Sequence, residues 1–512
     1  MDKGNPIPSS CQSDLTWKVY GAVLTLLFLA AMLPRLSLIL AGAAYADDWA
    51  GISYVAHLES YRPLAAFELW VWQSIFGPEY LTTWIPRIWS ALWYSLGLTF
   101  LLSWTRRLGV PLYLSFSIGL SVLLHPAFNE LILWGVLANV ALGTALAAAG
   151  VLLAYSGRTA SQSALGVALV CAAGLCQQML AIFGVVFVAM EIAALGWQSI
   201  QREGSFGWIW RACLMVFPVI VGIAVLLVMR NGLGYEDFAS RSLGIPDGLF
   251  RAKFFVLTNS YANVFQAPLG WAIGNSIALR AFWPAMVVPV VIIFLALRLT
   301  DTNVAKSILL AALPISVFWL AMSPLLGTNA TPTGFRVMGP ALIAMSIALA
   351  IALTPLWRSP AAKTVLVLVI ASIATANLGS TIVDTSARSV ALKRDQGWLA
   401  TTKAQILERG APQVQLCSWK FEPRAESINA APGILVSYNV AGPDQYSEWY
   451  SPFLAHYLVA NGIDAKVPKF GESSDFCAGK CEGNEDFILG PLRGRFHGLP
   501  EIRFVCGDRV VR

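Results

Sequence analysis

Apolar runs of about 20 residues recur through the first 380 positions, and they constrain this chain more than any other feature. A bilayer core is about 30 Å thick, so a run of that length spans it as one helix. The first run covers 17–40. Others lie near 84–105, 110–124, 131–154, 164–176, 179–196, 212–229, 281–299, 307–322, 338–357 and 364–383. About eleven spans are expected, with 164–196 short for two crossings. Composition agrees: 57% of the 512 residues are hydrophobic and 12% charged, against roughly 25% charged in soluble domains. The expected class is mainly α, a polytopic membrane protein. The net charge of +6 sits in short loops, and nothing resembles a nucleic-acid surface. No Walker loop, dinucleotide fingerprint or internal repeat is present.

Basic residues orient the spans. With the N-terminus inside, the inner loops hold Lys3, Lys18, Arg106, Arg107, Arg158, Arg202, Arg211, Arg298, Lys306, Arg358 and Lys363, as the positive-inside rule requires. This alternation needs 164–196 to cross twice. It puts the loops 41–83, 230–280 and 323–337 outside, together with everything after 383. Residues 1–383 then form the transmembrane unit. Residues 384–512 form a small α/β domain, with helices over 388–410 and 451–461 and strands at Val414–Trp419, Ile434–Val440 and Ile502–Val505. Four of the eight cysteines, Cys417, Cys477, Cys481 and Cys506, fall in that domain. An even set in a small outer domain reads as two disulfides; the three pairings stay open. Cys171, Cys176 and Cys213 read as small buried hydrophobes.

The chemistry concentrates in the first outer loop. Tyr45, Asp47, Asp48, Trp49, His57, Glu59, Tyr61 and Arg62 follow the first span within 18 residues. Charge beside a membrane-crossing segment is costly packing material. A carboxylate there suits general-base work on a hydroxyl. A phosphate leaving group needs guanidinium partners, for which Arg62 and Arg336 are the candidates, Arg336 closing the turn Thr331-Pro-Thr-Gly-Phe-Arg336. Arg35 and Arg87 read more simply as interfacial snorkelling residues. Residues 63–76, with Glu68 and several aromatics, read as a helix along the membrane surface. Glu130, in the turn His125-Pro-Ala-Phe-Asn-Glu130, either complements a helix start or meets substrate. A divalent cation beside Asp47 and Asp48 is compatible with the pattern, although no full ligand set is visible.

An N-terminal span, an outer loop opening on an acidic pair, a surface helix, many further spans and an outer C-terminal domain resemble the GT-C membrane glycosyltransferases. The element Tyr45-x-Asp47-Asp48-Trp49, followed by Tyr61-Arg62-Pro63-Leu64, is similar to that of the bacterial glucosyltransferases that decorate O-antigen. The Pro126 to Glu130 turn is similar as well. The resemblance implies a polyprenyl-phosphate sugar donor at the outer face of the bacterial inner membrane. Asp47 or Asp48 would activate a hydroxyl of a cell-envelope glycan, lipopolysaccharide or protein such as a pilin, with inversion at the sugar. Tyr45, His57, Glu59, Tyr61, Arg62, Glu130 and Arg336 would contact substrate. A polysaccharide polymerase or ligase would need its arginines in large later loops. A flippase would need charged, broken helices at the midplane.

Overall fold

The computed structural model describes residues 17–40, 54–77, 80–81, 83–156, 159–196, 204–232, 282–300, 302–324 and 338–408, and short paired segments at 414–415, 465–466, 504–506 and 509–511. Helix dominates. In chain order the helices are α1 (Trp17–Met32), α2 (Leu36–Leu40), α3 (Tyr54–Glu59), α4 (Pro63–Phe76), α5 (Ile85–Arg107), α6 (Leu112–Leu123), α7 (Ala127–Leu133) and α8 (Ala138–Ser156). There follow α9 (Ala160–Cys176), α10 (Phe183–Leu195), α11 (Gly204–Leu227), α12 (Phe282–Arg298), α13 (Val304–Met322), α14 (Gly339–Leu353) and α15 (Pro360–Glu408).

Among the described residues, six stretches are long and apolar enough to cross a membrane: Lys18–Leu40, Gly135–Tyr155, Gln178–Leu195, Gly207–Asn231, Val304–Met322 and Pro360–Ser386. The bent pair α6–α7 makes a seventh, and Ala160–Cys176, Val287–Arg298 and Gly339–Leu353 are shorter apolar helices. The chain thus has the architecture of a multi-pass membrane protein, and each expected run overlaps a helix, with 131–154 also taking in the end of α7 and the turn before α8. Their outer faces suit lipid: Val216, Phe217, Ile220 and Ile223 on α11 and Val287, Val291, Ile292 and Leu295 on α12 are exposed.

Contacts between helix ends trace the path through the bundle. α8 starts at Asn139, beside His57, and finishes where the Ala154 carbonyl accepts from Ser163 of α9. α9 runs back to the turn Gln178–Ile182, which is bonded to Ser60 and Tyr61. α10 leaves again, and in its last turns Glu191 pairs with Arg211, two turns into α11. Residues 160–195 therefore run along the bundle twice, in opposite directions, despite their shortness. Small residues allow it: a Cβ at Gly150 or at Gly166 would lie 2.6 Å from the other's carbonyl oxygen, so α8 and α9 pack backbone to backbone.

Three expectations change. The region 125–137 does not lead straight into the next span; α7 bends 73° from α6, and a 3-10 turn at Gly135–Leu137 precedes α8. The segments 364–383 and 388–410 are one helix, the 49-residue α15, about 70 Å long at 1.5 Å per residue. No Gly or Pro interrupts it between Leu378 and Glu408 except Gly379 and Gly397, and a lone Gly costs only about 1 kcal/mol. Arg35 and Arg87 do not snorkel; both are fully buried. After α15, β1 (Val414–Gln415) pairs in parallel with β2 (Ala465–Lys466), and β3 (Phe504–Cys506) pairs antiparallel with β4 (Arg509–Val511). The expected strand at Ile434–Val440 and helix at 451–461 lie outside the described residues.

At the end of the bundle reached by the C-termini of α8 and α10, Arg211 grips Glu191 through two hydrogen bonds of 2.7 and 2.6 Å and lies over the Tyr155 ring. Both charges are almost wholly buried. Removing one partner strands the other. Glu191→Ala or Arg211→Ala should each cost about 3–5 kcal/mol, and replacing both by methionine should cost less than the sum. Thermal unfolding of the purified protein in detergent measures this.

Candidate functional site

The opposite end gathers the polar groups. α3 ends in a Schellman motif: the Tyr61 N–H donates to the Leu58 carbonyl (2.8 Å) and the Arg62 N–H to the His57 carbonyl (2.9 Å). The position that usually takes Gly holds Tyr61, at φ 56°. A non-Gly residue there costs roughly 1 kcal/mol, offset by burial of the ring and by a side chain from another helix pair. Gln178 donates to the Ser60 carbonyl at 2.5 Å and to the Tyr61 carbonyl at 3.3 Å. Its amide oxygen accepts from Arg62 Nε at 3.3 Å. Pro63 then opens α4 in the first-turn position that suits it.

His57 is buried, its Nε2 lying 3.4 Å from Asn139 Nδ2. Arg35 donates to the carbonyls of Ala31 (2.8 Å), Leu123 (3.1 Å) and His125 (3.2 Å). It thereby satisfies the acceptors freed where α6 stops. Arg87 does the same for the chain entering α5, donating to Leu81 and Thr83 carbonyls. His125 Nδ1 accepts from the Ala127 N–H. α15 closes the ring. Asn377 donates to Ser121 (2.8 Å to the carbonyl), Thr381 to the Leu124 carbonyl (2.6 Å), and Asp384 accepts from Asn129 (2.5 Å) and Arg388 (2.7 Å).

Of the expected site residues, the fold brings His57, Tyr61, Arg62 and Glu130 to this one end. Glu59 is the last residue of α3. Tyr45, Asp47, Asp48 and Arg336, with Cys417, Cys477 and Cys481, lie outside the described residues; Cys506 ends β3. Cys171, Cys176 and Cys213 are free thiols. The chain enters the segment carrying the acidic pair at Leu40 and leaves it at Tyr54. Both flank this polar end, through Arg35 and His57. Among the described residues no group of three or more His, Cys, Asp or Glu is arranged for a metal ion.

Sequence reasoning missed Gln178, Asn139, Asn129 and the Asp384–Arg388 pair. The available signal was polar residues at or within apolar runs: Gln177-Gln178 between α9 and α10, and Asn139 inside the run 131–154. No protein-family model matches the chain, and no curated protein matches it.

α4 carries its own ionisable group. The helix has 14 residues, too few to span, and its Phe67, Trp70, Ile75 and Phe76 are exposed, as on a surface helix. Glu68 lies on its inner side. Burial pushes its carboxyl up to about 7, with a Trp72 hydrogen bond opposing that in part. A carboxyl raised on folding keeps its proton in the native state after the unfolded chain has lost it, so stability falls as pH rises from 4.5 towards 7. Glu68→Gln should remove this loss. Melting curves of the variant should lie above those of the parent at about pH 8 and coincide with them near about pH 4.

Proposed function

We propose that this protein is an inverting glycosyltransferase that moves a sugar from a polyprenyl phosphate to a hydroxyl of a cell-envelope acceptor. One observation carries the reading. The two described ends of the Asp47-Asp48 segment open onto the end of the bundle where buried polar side chains converge, while the opposite end carries a structural ion pair.

In this reading the eleven apolar helices all cross the bilayer, with the N-terminus in the cytoplasm. The end bearing Arg106, Arg107, Arg211, Arg358 and Lys363 faces the cytoplasm. The polar end faces the periplasm of a bacterial inner membrane. α15 leaves the bilayer there and leads to the C-terminal α/β domain, where acceptor choice is made.

The chemistry needs few groups. Asp47 or Asp48 takes the proton of the acceptor hydroxyl. The resulting oxygen attacks the anomeric carbon from the face opposite the phosphate. The carbon–oxygen bond to phosphate breaks, and polyprenyl phosphate leaves with the bonding pair. Arg62 and Arg336 neutralise the departing charge. Arg35 and Arg87 are spent on backbone carbonyls and hold the frame instead.

Asp47→Asn and Asp48→Asn should leave folding and membrane insertion intact. At least one should lower sugar transfer from polyprenyl-phosphate donors by 10²-fold or more; normal rates in both would refute the reading. Mass analysis of the unreduced protein should find Cys417, Cys477, Cys481 and Cys506 joined in two disulfides, and free thiols would place the C-terminal domain in the cytoplasm.

A further inference from the structure

Glu130 is 1% exposed, and neither carboxylate oxygen has a hydrogen-bond partner among the described residues. A carboxyl group buried with its oxygens unanswered costs free energy in either charge state, so its retention calls for an occupant.

The geometry of α7 shows where that occupant sits. Successive helical residues point about 100° apart. Phe128 meets the Tyr94 ring of α5 edge-on, with centroids 5.2 Å apart. Asn129 turns to α15 and donates to Asp384. The Leu131 side chain lies over Gly339 of α14. Three directions around α7 are thus taken by three helices, and Glu130 has the fourth, opposite Phe128. The other close neighbours of α7 are the Gly135–Leu137 turn and α8. There Asn139 is 2% exposed, and its Oδ1 also lacks a donor while its Nδ2 is committed to His57.

Buried oxygens left without donors among the described residues, on neighbouring elements at the polar end, suit a ligand that presents several donors. A sugar ring does so through its hydroxyls. Resting on the glycosyltransferase reading, we propose that Glu130 is the carboxylate that binds the hydroxyls of the transferred sugar, with Asn139 as a second acceptor. Asn129, anchored through Asp384 and Arg388 to α15, is a positioning residue that sets the rotation of α7.

The test uses the full chain in lipid nanodiscs. The probes are a short-chain prenyl phosphate and the same lipid carrying glucose, galactose, mannose or arabinose, with binding followed by calorimetry. The parent protein should bind at least one sugar-bearing lipid more tightly than the bare phosphate. Glu130→Gln should erase that increment, about ten- to a hundredfold, leave bare-lipid binding unchanged, and melt no lower than the parent. If the glutamine variant fails to fold, Glu130→Asp is read in its place and should reduce the increment. An increment retained in the variant overturns the assignment of Glu130 and leaves the glycosyltransferase reading standing. A parent that never distinguishes sugar-bearing from bare lipid overturns both. Stabilisation of the parent, but not of Glu130→Gln, by Mg²⁺ or Mn²⁺ alone would make the residue a metal ligand and overturn the hydroxyl assignment.

Discussion

A helix that stops inside an apolar bundle strands carbonyls that neither lipid nor hydrocarbon side chains can satisfy. In this protein that constraint is met by side chains arriving from distant parts of the sequence. Arg35 answers the end of α6, Asn377 and Thr381 answer the same end from α15, and Gln178 answers the end of α3. Remove these donors and the corners at Tyr61 and at Leu124 to Pro126 have no reason to hold their shape. The bend between α6 and α7, and with it the direction of Glu130, depends on them.

The same economy explains why the two ends of the bundle differ. At one end a single bidentate pair, Glu191 with Arg211, is complete in itself. At the other, Glu130, Asn129, Asn139, Gln177 and Asn377 each keep an oxygen without a partner among the described residues. A folded chain tolerates a few such groups, and concentrations of them mark places where stability has been exchanged for something else. α15 links that end to the C-terminal segments by one unbroken helix, so a displacement of the stalk would be felt at Asn129.

Periodicity and length were legible because hydrocarbon thickness is a ruler. Most helices begin and end within a few residues of the apolar runs, including those in 164–196, while α8 starts late, α11 starts early and α15 runs on to Glu408. The surface character of 63–76 was legible as well, since a run with Glu68 and clustered aromatics is too short to cross. The corner residues were not. Nothing local distinguishes Gln178 from Gln177, or Arg35 from an interfacial arginine, because their roles are defined by carbonyls up to 118 positions away. Continuity of α15 was also hidden, because a drop in hydropathy at 384 looks like a boundary whether or not the backbone breaks.

By itself the sequence indicated a mainly helical, multi-pass membrane protein, where its apolar helices lie, and where positive charge falls between them. These follow from solvent, length and charge, which act on each segment separately. Only the tertiary structure decided which polar residues share an end, which arginines serve the backbone, and that Glu130 is left unanswered. Those outcomes depend on long-range hydrogen bonds and on the rotation of short helices, quantities set by packing between segments rather than within them.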